Sequence, residues 1–221
     1  MKYLCLLLLI IIGCSTSKQS FTSGNHQGNE WLIPISPSDT SYTNYFNVQP
    51  TTTPDGWAIT YWVKNDTTRF TDAYIQWQKG DVKRVWKYPH VLEFRPSFLP
   101  TFMTEDKYYI YMEHWCATEC QALLVLPKNA HEKAVDFEDI LGHDIRLGQI
   151  VYRIPTETDG ELVITATDLK RQVTKSVTFK NKYYSPINAM QDSLIFKGDR
   201  IIINWEFFTE DEVKETQIIT F

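Results

Sequence analysis

The chain has 221 residues, a formal net charge of −5 at pH 7, and 14% aromatic residues that include seven Trp and twelve Tyr. Lys83-Arg84 and Lys170-Arg171 are isolated pairs rather than parts of a basic stripe, which argues against nucleic acid and against acidic lipid head groups as partners. About 190 residues follow the polar N-terminal stretch, enough for one domain with a sizeable core.

The N-terminus comes first in chain order. After Lys2, residues 4–12 form an unbroken apolar run. It is too short for a membrane-spanning helix, which needs about 20 residues, and has the length of a signal-peptide core. The residues that close it, Ile11-Ile12-Gly13-Cys14, resemble the bacterial lipobox: an aliphatic pair, a small residue, then cysteine. That resemblance implies cleavage after Gly13, with residues 1–13 as signal peptide, and lipid attachment on Cys14. Several acyl chains on one residue give stable anchoring where a single chain is marginal. Ser15 at the next position is not acidic, which in lipoprotein sorting favours the outer membrane. The expected location is therefore the bacterial cell envelope, with the domain anchored to the outer membrane and facing the periplasm. That compartment is oxidising and permits disulfides. Residues 14–30 then read as the lipidated cysteine and a flexible polar tether, and residues 31–221 as a single β domain.

Residues 31–50 contain Pro34, Pro37 and Pro50 and predict no long strand, with at most a short edge strand at Trp31-Leu32-Ile33. Pro54-Asp55-Gly56 predicts a turn. A loose repeat follows. Runs of alternating apolar and polar residues occur at 57–63, 73–78 and 82–88, at 108–116 and 120–126, at 149–154, 161–167 and 173–179, and at 193–196, 201–208 and 213–221. Lys79-Gly80-Asp81 and Lys197-Gly198-Asp199 supply turns. The repeats open at Trp57, Tyr108, Gln149 and Ser193, about 40–50 residues apart, as propeller blades are. The expected fold is all-β and mainly antiparallel. It is either a propeller-like repeat of about four β units or a β-sandwich or open barrel. One segment departs from the pattern. Residues 129–142 place Ala134, Phe137 and Leu141 at helical spacing between a capping Asn129 and a terminating Gly142, predicting one short helix near 130–141. A return strand over 133–137 is the rival reading.

The chemistry-bearing residues concentrate in residues 108–127, which hold Cys116 and Cys120, the cysteines that remain after processing besides Cys14. At the two ends of a short hairpin loop these thiols can close a disulfide, because facing Cβ atoms lie about 4.5–5.5 Å apart and closure needs about 3.5–4.5 Å. Alternation places Ile110, Met112, His114 and Cys116 on one strand face. His114, Cys116 and Cys120 are therefore also candidate ligands for copper or zinc, or a thiol-exchange centre. Against this, Cys-x-x-x-Cys carriers of that kind use a βαβ scaffold, which the pattern lacks. Two free thiols are the third possibility. The order Trp115, Cys116, Thr118, Cys120, Gln121 resembles a family of small bacterial envelope proteins with a Trp-Gly-Cys-Gly-Thr-x-Cys-Gln segment. Here no residue separates Trp115 from Cys116, and Ala117 replaces the second glycine. The resemblance implies an envelope β protein with a cysteine pair and carries no activity.

His26, His90, His131 and His143 lack spaced partners. Asp66-Thr67-Thr68 and Asp192-Ser193-Leu194 resemble a short O-glycosylation acceptor. No nucleophile elbow, phosphate loop or His-Glu-x-x-His occurs. The functional expectation is a lipid-anchored, non-enzymatic binding or interaction module without a cofactor, whose partner is a protein or a glycan. A copper or thiol-exchange protein and a glycan-binding lipoprotein are the alternatives. Glycan binding needs two or three exposed coplanar rings, whereas sheet packing accounts for the aromatics if they are buried.

Overall fold

A computed structural model describes residues 32–34, 49–64, 73–88, 99–117, 120–154, 161–180, 189–207 and 213–221. The leader, Cys14, the tether, Trp31, His26, His90 and the Asp66-Thr67-Thr68 acceptor lie outside the described residues. All described residues are strand, turn or irregular, and the strands form four antiparallel sheets, none closed into a barrel.

Each sheet is a contiguous stretch of chain, and short turns at 80–81, 106–108, 169–172 and 197–199 let neighbouring strands pair directly. The first sheet has β1 (Leu32–Pro34), β3 (Ala58–Lys64), β4 (Ala73–Lys79) and β5 (Val82–Tyr88) in that spatial order, with β2 (Thr51–Thr52) also on β3. The second runs β6 (Thr101–Glu105), β7 (Tyr109–Ala117), β8 (Cys120–Pro127), β9 (Val135–Phe137). The third runs β10 (Ile140–Asp144), β11 (Gln149–Ile154), β12 (Glu161–Asp168), β13 (Val173–Lys180). The fourth runs β14 (Ala189–Phe196), β15 (Arg200–Phe207), β16 (Val213–Thr220). At the two Lys-Gly-Asp turns Gly80 and Gly198 take φ of 56° and 79°, a left-handed backbone that glycine adopts without the Cβ clash other residues meet.

Three cores join successive sheets. Ile59, Tyr61, Ile75 and Trp77 of the first sheet pack on Ile110, Met112, Leu124 and Leu126 of the second. The alternate residues of the same two strands, Tyr109, Tyr111, Leu123 and Val125, pack on Ile150 and Tyr152 of the third. The third sheet turns Val151, Leu162, Ile164 and Ala166 onto Ile201, Ile203 and Trp205 of the fourth. Strands β7 and β8 are thus covered on both faces, which explains their near-continuous apolar runs. Sheets stacked face to face in chain order are what the roughly 45-residue repeat encodes. Closing them into a ring would require the fourth sheet against the first. Among the described residues the buried cores join successive sheets only.

The short helix expected near 130–141 is absent. That stretch holds β9, a turn at Asp139 with φ of 53°, and β10, so the return-strand reading of 133–137 is the one realised. The expected helix cap makes an Asx turn instead, with Asn129 Oδ1 accepting hydrogen bonds from the N–H groups of His131 and Glu132 at 2.9 and 2.8 Å. Phe137 pairs opposite Leu123 and is buried with it, so sheet burial overrides the three- and four-residue spacing. Gly142 sits where Leu194 crosses: a Cβ there would lie 2.9 Å from Leu194 Cδ1. Strands β2, β6 and β10 are elements the alternation pattern did not reveal. The first is two residues long, and the other two are short, half-exposed and interrupted by a register shift.

Four tyrosines knit these layers. Tyr61 donates to Pro100 O at 2.7 Å, Tyr109 to Glu132 Oε2 at 2.8 Å and Tyr111 to Asp106 Oδ2 at 3.1 Å, while Tyr88 lies 3.5 Å from His114 Nδ1. Burial is the largest cause that pushes all four phenols well above their ordinary value, with neighbouring carboxylates adding to it at Tyr88, Tyr109 and Tyr111. The unfolded chain releases these protons near pH 10 and the folded one holds them, so stability is intact below about pH 10 and falls as pH rises beyond it. Titration with base is expected to include a cooperative step of tyrosinate absorbance, from these four of the twelve tyrosines, that coincides with loss of β circular dichroism. Absorbance that is complete before the β signal is lost would refute this.

Candidate functional site

The β7–β8 hairpin carries the residues singled out in the sequence. Its pairing is regular from Tyr109↔Pro127 to Trp115↔Gln121 and then shifts, so that Ala117 pairs with Cys120. Cys116 is the extra residue of this bulge, and it is bonded to Cys120 in a disulfide with a Cα–Cα distance of 5.1 Å. The bulge interrupts the alternation that placed Cys116 on the face of His114. The staple closes only a five-residue loop, which corresponds to about 2 kcal/mol of chain entropy. It holds the register of the hairpin end rather than the fold.

His114 is buried on the face shared with Ile110 and Met112, facing the first sheet. Ala122 lies directly opposite on β8, and its small side chain leaves the imidazole room to reach across that strand. His114 Nε2 meets Asp136 Oδ1 of β9 at 2.8 Å, Nδ1 lies 3.2 Å from Trp115 O, and the Tyr88 ring packs edge-on with centroids 5.7 Å apart. His114 therefore ties β7 to β9 over β8 and joins both to β5. The three ligand candidates His114, Cys116 and Cys120 are not assembled as a metal centre: both sulfurs are in the disulfide and both ring nitrogens have protein partners. Among the described residues no three His, Cys, Asp or Glu side chains gather around a common point.

A second polar cluster escaped the sequence reading. Lys128, just after β8, has a side chain only 8% exposed and contacts Glu105 Oε2 at 2.8 Å and Asp55 Oδ2 at 2.6 Å. Glu105 also accepts hydrogen bonds from Thr53 Oγ1 at 2.9 Å and Asp55 N at 2.6 Å, and Asp106 Oδ1 accepts from the N–H groups of Tyr108 and Tyr109 at 2.7 and 2.8 Å. Burial opposes the charge of Lys128, but its hydrogen bonds to Asp55 and Glu105 outweigh that and raise its pKa; the same contact holds the Asp55 carboxyl below its ordinary value. This cluster pins the 53–56 turn to the end of β6. Between them opens a cleft of about 640 Å³, lined by Pro54, Asp55 and residues 102–107. No motif flagged it, because its residues are brought together from positions some 50 apart by the packing of the first sheet on the second.

The described tryptophans are mainly packed within the sheets. Trp57, Trp77 and Trp205 are buried, Trp62 carries Lys83 over its ring at 5.9 Å, and Trp86 packs on Tyr88 at 5.8 Å. Trp115, 41% exposed, is the exposed indole among the described residues. The platform of coplanar rings that glycan binding needs is therefore not formed by these side chains. Ser193 of the Asp192-Ser193-Leu194 acceptor accepts a hydrogen bond from Asn204 Nδ2 at 2.8 Å within the fourth sheet. His131 closes the Asx turn through its N–H, and His143 sits on β10 beside Ile150 in register. Comparison with protein-family models, curated proteins and solved structures finds no match.

Two measurements check this geometry. Replacing both cysteines by alanine is expected to cost about 2 kcal/mol or less in urea unfolding, with amide exchange quickening only near residues 113–123; global unfolding of the variant would refute the local role. His143 has its pKa lowered, first by burial and against the opposing pull of Asp144 and Glu113. The unfolded chain takes up this proton near pH 6.5, before the folded one, so the stability present above that pH declines as pH falls. The His143→Gln variant is expected to lose this part of the acid slope, and an unchanged slope between pH 7 and 5 would contradict the assignment.

Proposed function

We propose that this protein is a lipid-anchored binding module of the bacterial cell envelope, held to the outer membrane through Cys14 and facing the periplasm. The anchor is supported by the leader and by Ile11-Ile12-Gly13-Cys14. The bonded state of Cys116 and Cys120 agrees with an oxidising compartment. The observation that carries the binding role is the use of the buried polar groups. His114 with Asp136, and Lys128 with Asp55 and Glu105, are engaged with one another as ties between strands and sheets. A protein partner is the reading we favour, since among the described residues the exposed indole, Trp115, has no second exposed indole beside it.

The anchor is tested in cells. The native chain is expected to partition into detergent, to label with radioactive palmitate and to begin at Cys14 by mass spectrometry. The Cys14→Ser variant should do none of these. A native chain that stays aqueous and unlabelled ends the lipoprotein reading. Turnover of an ester, glycoside or peptide by the purified domain, abolished by one point substitution, would replace the binding reading with an enzymatic one.

A further inference from the structure

Pairing in the β7–β8 hairpin keeps one register almost to its tip. Tyr109↔Pro127, His114↔Ala122 and Trp115↔Gln121 all belong to it, and carried one step further it would set Cys116 directly opposite Cys120. The hairpin departs from its register at that step. Ala117 pairs with Cys120 instead, and Cys116 is left over as the bulge.

The alternation of backbone hydrogen bonds supplies the reason. Lys128 N–H donates to Tyr108 O at 2.9 Å, just beyond the Tyr109↔Pro127 pair. Hydrogen-bonded and non-hydrogen-bonded pairs alternate along an antiparallel ladder. Ile110↔Leu126, Met112↔Leu124 and His114↔Ala122 are therefore of the hydrogen-bonded kind, and Cys116 opposite Cys120 would be the next. Facing Cβ atoms lie about 4.5–5.5 Å apart and are closer in the other kind of pair. A disulfide needs its Cβ atoms about 3.5–4.5 Å apart. The backbone pair and the sulfur bond thus compete for the same two residues. Forming the bond displaces the pair, and Cys116 bulges out of the ladder.

The surroundings leave the tip room to change. Tyr109 and Tyr111 are buried against the third sheet, whereas Glu113, Trp115 and Ala117 further along β7 are exposed, so the tip extends past that sheet. Neither cysteine is buried, which opens the sulfurs to a small thiol. His114, held on Asp136 at 2.8 Å, fixes the ladder just below the tip. From these observations we infer that the Cys116–Cys120 bond is a redox switch of hairpin register. A dithiol reductant opens it without unfolding the sheets. The opened tip forms the Cys116–Cys120 backbone pair, loses the bulge and returns Cys116 to the face of Ile110, Met112 and His114. In the exchange a thiolate of the reductant attacks one sulfur and the S–S bond breaks, leaving a mixed disulfide and one free cysteine thiol. The second thiol of the reductant then displaces the other cysteine. Two electrons and two protons pass to the cysteine pair, and the reductant leaves as its own disulfide. The surface altered is the one around Trp115, 41% exposed beside the bulge. The switch goes beyond the binding-module reading, which does not depend on it.

The test treats the full chain with dithiothreitol under native conditions and then re-oxidises it. Alkylation with peptide mapping is expected to find Cys116 and Cys120 free while the β circular dichroism is kept, and bonded again after re-oxidation. NMR is expected to show a cross-strand amide–amide contact between Ala117 and Cys120 in the oxidised chain, replaced by one between Cys116 and Cys120 in the reduced chain. The double variant Cys116→Ala with Cys120→Ala should adopt the reduced pairing without any reductant, so it decides the matter even if free thiols make the reduced chain associate. A bond that opens only as the β signal is lost overturns the switch. So does a reduced chain, or a folded double variant, in which residue 117 still pairs with residue 120.

Discussion

The burial of the β7–β8 hairpin on both faces is the constraint from which the rest follows. Tyr109 to Met112 and Ala122 to Pro127 have no solvent face to put a polar group on. Each fully buried large apolar side chain contributes roughly 1.5–3 kcal/mol, and two facing layers of them make this hairpin the element against which the first and third sheets are set. An antiparallel hairpin with both faces dry is unusual, since antiparallel sheets commonly leave one face wet. It requires a sheet on either side, and the chain supplies one before and one after in sequence.

That constraint also explains where the polar groups went. The hairpin can leave its dry zone only at its ends, and both ends are tied by polar chemistry. At one, the bulge and the Cys116–Cys120 bond hold the strands in register, and His114 crosses Ala122 to reach Asp136. At the other, Lys128 is held by Asp55 and Glu105, while Asp106 caps the turn into Tyr109. Trp77 completes that end by donating to Pro127 O at 2.9 Å across the sheet interface. Buried groups of this kind are costly to leave unpaired, so pairing them fixes which strands can be neighbours. The same ties leave β6 at the margin of the second sheet, with no further strand paired to it among the described residues.

The residues that first invite a catalytic or metal-binding reading turn out to have structural work. Cys116 and Cys120 are near in sequence because they close a hairpin. His114 is near them because it occupies the last dry position on its face. The cleft beside β6 is, by contrast, assembled from residues with no sequence signature. Proximity in sequence marked the stapled hairpin, and proximity in space alone assembled the cleft.

The sequence alone determined the class of fold. Alternation of apolar and polar residues, turn residues at Lys79-Gly80-Asp81 and Lys197-Gly198-Asp199, and a repeat of about 45 residues are local signals, and a strand period of two is hard to mistake over seven or eight residues. It also brought Cys116 and Cys120 within bonding reach, because a hairpin loop fixes the separation of its ends. Tertiary structure decided the remainder. Residues 129–142 carry helical spacing yet form β9 and β10, since burying Phe137 beside Leu123 outweighs a weak local preference. His114 has Asp136 as its partner, 22 residues away, and Lys128 has Asp55, 73 away. No periodicity encodes such distances: they exist only once sheets pack on sheets, and the cleft along β6 exists for the same reason.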